Sequence, residues 1–399
     1  MKKRYFLPFI FLVITTTALS AFDFGLILDN SVLYEAGGFE KDLKYKGILV
    51  SWFSSPLGSS GKFHFSASVT ADYSQKEWSF VPELLLTEVK WRFEKGQELS
   101  IGRTAYRDPL GFIANGLFDG FWYQQDAGGG ALGFGAFYTG LQYKKSANIT
   151  MTEEELDSYN EDFDYGNFYN TYFAPPRILA ALDYQHPGLG ELIRFSLSMV
   201  GQFDLNGGDK LYHSVYLIGK LGIPVGAFIF DIGACAAAAS ASERFNLSFA
   251  GELGIGWYLP TSIQDRLMLS GRLSCGTVNS WLTAFVPVTT ETQGNILKAK
   301  LSGLSIVQLD YTARFHEALS LSLSSSYYIL SDLATYQGLP AGRDGHFLGN
   351  EFYGLLTWSP FSDLQLKAGG GAFLPSLGNA DKQAEMLWQL EFALVVALF

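Results

Sequence analysis

A set of basic residues recurs on the polar side of alternating segments: Lys90, Arg92, Arg177, Arg194, Arg244, Arg266, Arg272, Lys298, Lys300, Arg314 and Lys367. Rings of Arg and Lys around a water-filled passage attract and select anions, so this is the chemistry that these residue types are suited to. Fewer acids share those faces, namely Glu88, Asp183, Asp231, Glu252 and Asp310. Two roles stand open for such charges at membrane depth: they line a passage, or they pair across it and brace its wall.

Other chemistry has less support. Acids gather over 144–174, at Glu153, Glu154, Glu155, Asp157, Glu161, Asp162 and Asp164, among Tyr159, Tyr165, Phe168, Tyr169 and Tyr172. That composition reads as a solvated charge run; the competing reading is a folded lid that holds divalent cations on carboxylates. A nucleophilic hydrolase needs a histidine poised beside its nucleophile. The five histidines, His64, His186, His213, His316 and His346, fall in turns or alone in strands, with no G-x-S-x-G segment beside them. HExxH and CxxC spacings are absent, so neither an enzyme nor a metal or cofactor site is expected. Cys235 and Cys275 take opposite parities in their strands, which predicts two free thiols.

Strands must position these groups. The chain is 48% hydrophobic and 16% aromatic, yet past its first residues no uncharged run is long enough for a membrane helix. Apolar residues are instead dispersed in alternation. Phe63, Phe65, Val69 and Tyr73 oppose His64, Ser66, Ser68, Thr70 and Asp72, and Leu267, Leu269 and Leu273 oppose Arg266, Ser270, Arg272 and Ser274. That is how a transmembrane barrel separates its lipid face from its lumen. Eight short connections alternate with nine longer ones, the latter including Arg107–Asn115, Lys144–Ala174 and Asn279–Ile296. The count predicts a single all-β, antiparallel, up-and-down transmembrane barrel of about 18 strands (16–18) over residues 22–399, with no separate domain or plug.

The two ends agree with this. Lys2, Lys3 and Arg4, an apolar run and small residues at Ala18 to Ala21 make residues 1–21 a secretory signal peptide. The last segment, Leu387 to Phe399, is apolar and closes the barrel on the first strand, since a bare edge strand would invite aggregation. Gln389 and Glu391 turn its odd positions to the lumen, leaving Trp388, Leu390, Phe392, Leu394, Val396 and Leu398 for lipid. Strands ending in Phe resemble the assembly signal of bacterial outer-membrane barrels, so Phe399 is expected to be read by the barrel-assembly machinery. A formal charge of -11 opposes nucleic-acid binding.

One stretch carries a family resemblance. Leu99 to Arg103, then a loop with Gly111, then Leu117 to Phe121 with Asp119 and Gly120, is similar to the alginate-export family of outer-membrane porins, as are His346 to Glu351, Asp363 to Gly369 and Phe373 to Pro375. The resemblance implies a monomeric 18-stranded barrel in outer-membrane lipid, passing anionic saccharides or other hydrophilic solutes. Arg103 would be a lumen residue and Glu351 its late-strand counterpart, although Arg103 shares parity with Leu99 and Ile101 and reaches the lumen only if a bulge near Gly102 shifts the register. A porin-like channel is therefore the leading expectation. The alternatives are a hydrophobic-compound transporter with lateral exit and a non-conducting structural or adhesive barrel.

Overall fold

Alternating side chains need a sheet with one wet and one apolar face, and a sheet with no free edge must close on itself. The computed structural model describes residues 22–37, 41–74, 76–94, 96–190, 192–207, 211–241, 244–333, 345–379 and 384–398; the signal peptide expected over residues 1–21 and the expected assembly tag Phe399 lie outside them. Its strands are β1 (Asp23–Ala36), β2 (Asp42–Leu57), β3 (Gly61–Ser74), β4 (Glu77–Arg92), β5 (Glu98–Arg107), β6 (Asn115–Ala127), β7 (Gly130–Tyr138), β8 (Arg177–Leu189), β9 (Ile193–Asp204) and β10 (Tyr212–Val225). They continue with β11 (Phe228–Ala241), β12 (Arg244–Tyr258), β13 (Arg266–Ser274), β14 (Thr292–Gln293), β15 (Ala299–Lys300), β16 (Leu304–His316), β17 (Leu319–Leu330), β18 (Phe347–Phe361), β19 (Leu364–Leu374) and β20 (Leu387–Leu398). β14 and β15 form a small ribbon of their own, and the other 18 make one antiparallel sheet.

Each barrel strand pairs with its sequence neighbours, and β20 closes the ring on β1 from Leu26↔Leu398 to Ala36↔Trp388. The short connections are tight. At Gly128 and Gly129, both with positive φ (58° and 81°), the chain reverses between β6 and β7 in two residues, a conformation that side chains resist. Among the described residues, the longer connections emerge at the opposite rim.

The faces follow parity. Phe24, Leu26, Leu28 and Val32 of β1, Leu253, Ile255 and Trp257 of β12, and Leu390, Phe392 and Leu394 of β20 are exposed on the outside. Inward positions hold the polar groups and also a large apolar core, which strand alternation did not foretell. The barrel is thus apolar on both faces over part of its circumference. The reason is that three long connections, L3 (108–114), L4 (139–176) and L7 (275–303), fold into the mouth. L7 is longer than the Asn279–Ile296 expected, and Lys298 and Lys300 lie in it, off the barrel wall.

Candidate functional site: the loop-filled mouth and its passage

L3 is a turn built around one carboxylate. Asp108, 2% exposed, accepts from the backbone N–H groups of Leu110 (2.8 Å), Gly111, Ile113 and Ala114 (2.9 Å each). Burial pushes this carboxyl's pKa up, against the pull of those four donors. The turn holds Phe112 beneath the Arg272 guanidinium, 5.6 Å from the ring centre.

L7 docks on L3. Val288 and Thr289 both donate their N–H to the Ile113 carbonyl (2.8 and 3.0 Å), and the Asn115 N–H reaches Thr289 Oγ1 at 2.9 Å. The tip of L7 runs through β14, Gly294 and β15. Gly294 has φ of 81°, and a Cβ there would strike the Tyr328 hydroxyl. Glu351 of β18 fastens this tip, its carboxylate accepting from the N–H groups of Asn295 (2.7 Å), Ile296 (3.2 Å) and Leu297 (2.9 Å).

L4 contains three helices, α1 (Lys144–Ala147), α2 (Glu153–Asn160) and α3 (Phe168–Tyr172). Thr152 and Glu155 form a capping box that starts α2. The second oxygen of Glu155 meets the fully buried Arg177 at 2.5 and 2.9 Å, and Arg177 also bonds Asp204 (3.2 Å), Gln202 and the Tyr212 carbonyl. The acidic run is therefore not uniformly solvated: it turns one carboxylate inward as the loop's anchor. Burial lowers the pKa of Lys144 and Lys145 at the base of L4, with Asp162 opposing the shift at both. L4 and L7 join where Thr290 N–H meets the Asn148 carbonyl (2.8 Å) and Lys300 Nζ meets Thr150 Oγ1 (3.0 Å).

The packed core so formed draws wall residues from Tyr106 of β5 round to Leu387 of β20 and takes none from β1 to β4. On that remaining side a polar cavity of about 390 Å³ lies between the L7 tip and the wall, lined by Ser31, Lys44, Lys46, Asp72, Asn295, Lys298, Gln389 and Glu391 among others. Glu35 bridges two of its lysines, Lys44 at 2.6 Å and Lys298 at 3.1 Å. Lys46 is exposed and has no ion-pair partner among the described residues. Deeper in the lumen, Glu252 is shared by Lys220 (2.7 Å) and Arg272 (3.6 Å).

Several expected residues take lumen-facing positions. Lys90 pairs with Glu88 at 3.0 Å, and Arg92 with Glu98 at 2.9 Å near the short-turn rim. Arg194, Arg266, Arg314 and Lys367 share inward parity with Ser196, Ser270, Thr312 and Gln365, and Arg244 heads β12 on the side of Asn246 and Ser248. Others are corrected. Arg103 does not face the lumen: the β5–β6 ladder runs unbroken from Glu98↔Gln124 to Arg107↔Asn115, so no bulge inverts it. Its guanidinium grips Asp119 at 2.9 and 2.7 Å on the outward face instead. Arg177 and Glu351 are buried loop anchors with no face on the passage, and Lys300 is spent on Thr150. Cys275 lies past the end of β13; both thiols are free and buried.

Sequence reasoning missed Lys44, Lys46, Lys62 and Lys220. Lys44 and Lys46 oppose Leu43 and Tyr45, which is a usable signal, but Ile48 and Val50 follow them on the same inward face and blur the alternation.

No family model and no curated relative matches this chain. Solved structures do, among them two from Pseudomonas aeruginosa: OccK2 (OpdF), with a TM-score of 0.63 and 13% identity over 95% of this chain and 98% of that one, and OpdQ, with 0.62 and 13% over 95% and 99%. OpdK with vanillate matches at 0.60 and 12% over 96% and 99%. At this identity the likeness shows the fold alone, a closed antiparallel β-barrel, and the structures named here are not of the alginate-export type.

Proposed function

We propose that the chain is a bacterial outer-membrane channel that passes small, hydrophilic, anionic solutes through the passage beside β1, β2 and β3. The observation that carries this reading is the cavity flanked by Lys44, Lys46 and Lys298, in which Lys46 has no ion-pair partner among the described residues and is free to meet a solute anion. One of the matched structures is OccK2 in complex with glucuronate and another is OpdK with vanillate, both of them small carboxylates. A uronate polymer, as the alginate-export resemblance implies, shares that chemistry; with L3, L4 and L7 docked, the passage suits single small solutes better. The barrel is read as a monomeric conduit rather than a catalyst, exported by residues 1–21 and inserted with Phe399 as its assembly tag.

Planar-bilayer reversal potentials in a KCl gradient test the reading. Anion preference, with glucuronate reducing the chloride current, is the expected result. Cation preference, or a folded barrel with no conductance, would overturn it.

A further inference from the structure

The wall is not laddered evenly. β3 and β4 pair up to Ser74↔Glu77, but β4 and β5 pair at six positions only, from Thr87↔Arg103 to Arg92↔Glu98. Beyond Thr87, residues 77–86 of β4 have β3 on one side and, among the described residues, no strand on the other. β5 runs on to Arg107, paired with β6 alone. A bare strand edge facing lipid leaves backbone groups without partners, which membranes do not tolerate.

Side chains cap three carbonyls of this edge. The carbonyls of Phe80, Pro82 and Leu84, alternate residues on β4, accept from Tyr165 Oη (2.7 Å), Tyr172 Oη (2.8 Å) and Arg103 Nη1 (2.5 Å). Two of the three donors belong to L4. Behind them L4 stacks rings: Phe168 on Tyr172 with centroids 4.7 Å apart, and Phe163 against Tyr172 at 5.8 Å. Ser146 of α1 adds a bond to Glu83 of β4 at 2.7 Å. A backbone ladder opens only when its sheet unfolds, whereas the two tyrosine bonds part when one loop swings away and leave Arg103 on Leu84 as the remaining side-chain bond to these carbonyls. Movement of L4 would therefore open the wall sideways, between the lumen and the bilayer, along an aromatic surface that accepts an apolar chain and next to the Arg103 guanidinium, which loses its bond to the Leu141 carbonyl of L4 and can turn that donor to an anionic head.

We propose that the β4–β5 seam is a lateral portal with L4 as its shutter, through which an amphipathic anion, one apolar chain with one charged head, moves between the lumen and the membrane. The portal is additional to the axial passage and does not require that passage to conduct.

The test uses the full chain in proteoliposomes carrying the double variant Glu83→Cys/Ser146→Cys, whose side chains touch across the seam, joined by a short bis-thiosulfonate; Cys235 and Cys275 are buried, and each single variant given the same reagent is the control. Labelled decanesulfonate is the probe because its head stays ionised and resists spontaneous flip-flop; glucuronate reports the axial route. The expected result is that joining abolishes decanesulfonate uptake, leaves glucuronate flux intact, and is reversed by reductant. A second variant, Tyr165→Phe/Tyr172→Phe, removes both hydroxyl donors and should raise decanesulfonate uptake. Uptake that is absent before joining, unchanged by it, or lost together with glucuronate flux would overturn the portal. Glucuronate flux missing while decanesulfonate uptake remains link-sensitive would sink the axial channel and leave the portal standing.

Discussion

Glu351 gives the sharpest handle on the passage, because it touches the moving part and stays out of the solute's way. Its carboxylate is 2% exposed and accepts three N–H groups at the L7 tip. Glu351→Gln preserves shape and removes the charge. A hydrogen bond to a charged acceptor contributes about 1.5–3 kcal/mol against about 0.5–1.5 for a neutral one, so the two bonds of Ile296 and Leu297 to the oxygen that Gln keeps weaken by about 1 kcal/mol each, while the Asn295 N–H, left facing the amide NH2, loses its acceptor at a cost of at least about 1 kcal/mol. The sum of about 3 kcal/mol shifts the docked-to-detached equilibrium of the tip by about 100-fold, at 1.4 kcal/mol per factor of ten. Glu351→Ala leaves the three donors without an acceptor and should cost more, since each buried unpaired donor costs about 1–3 kcal/mol. Single-channel recording reads the consequence as higher and noisier conductance with weaker ion selectivity, graded from Gln to Ala. Trypsin reads it independently as cleavage after Lys298 or Lys300 in a barrel that still runs folded on a gel. Wild-type conductance and an uncut L7 in Glu351→Gln would refute the claim that this carboxylate holds the tip.

The other loops and thiols yield further outcomes. Arg177→Met leaves Glu155 and Asp204 buried without their cation, a loss of about 3–5 kcal/mol, and should expose Lys144 and Lys145 to trypsin before the barrel melts. Gly294→Ala forces a side chain into left-handed backbone, about 1–2 kcal/mol, and onto the Tyr328 hydroxyl; the displaced tip should appear as a shifted reversal potential in a KCl gradient. Cys235 and Cys275 should resist maleimide in the folded protein and give two labelled sites in denaturant, as seen by mass spectrometry.

What sequence could show and what it could not divide along a physical line. Parity is local, so the alternation at Phe63 to Tyr73 and at Arg266 to Ser274 carries the wall with its two faces, and the apolar segment Leu387 to Phe399 carries its closure. Loop docking is not local. Nothing near Glu351 marks it as the partner of residues 295–297, and Arg177, which alternates like any lumen cation, is buried only because Glu155 comes down on it from L4. Arg103 misleads for a related reason. Its parity with Leu99 and Ile101 points outward, and it is the family resemblance, with a bulge near Gly102, that places it in the lumen; the ladder has no such bulge, and the seam beside β4 and the Asp119 carboxylate satisfy its charge where it stands.

The docking of L7 on L3 also sets an order of events in folding. The Ile113 carbonyl meets the N–H groups of Val288 and Thr289 across most of the chain's middle, and contacts so distant in sequence are slow to form because a long loop must close before they reward it. Neighbouring hairpins such as β2–β3 can register early, but the mouth has nothing to fold onto until β13 has been placed and the segment after it is available. Closure of β20 on β1 joins residues further apart still, Leu26 and Leu398, so ring closure and L3–L7 docking are separate long-range steps and neither rests on the other. Damage to the L3–L7 contact should then produce leaky barrels rather than missing ones.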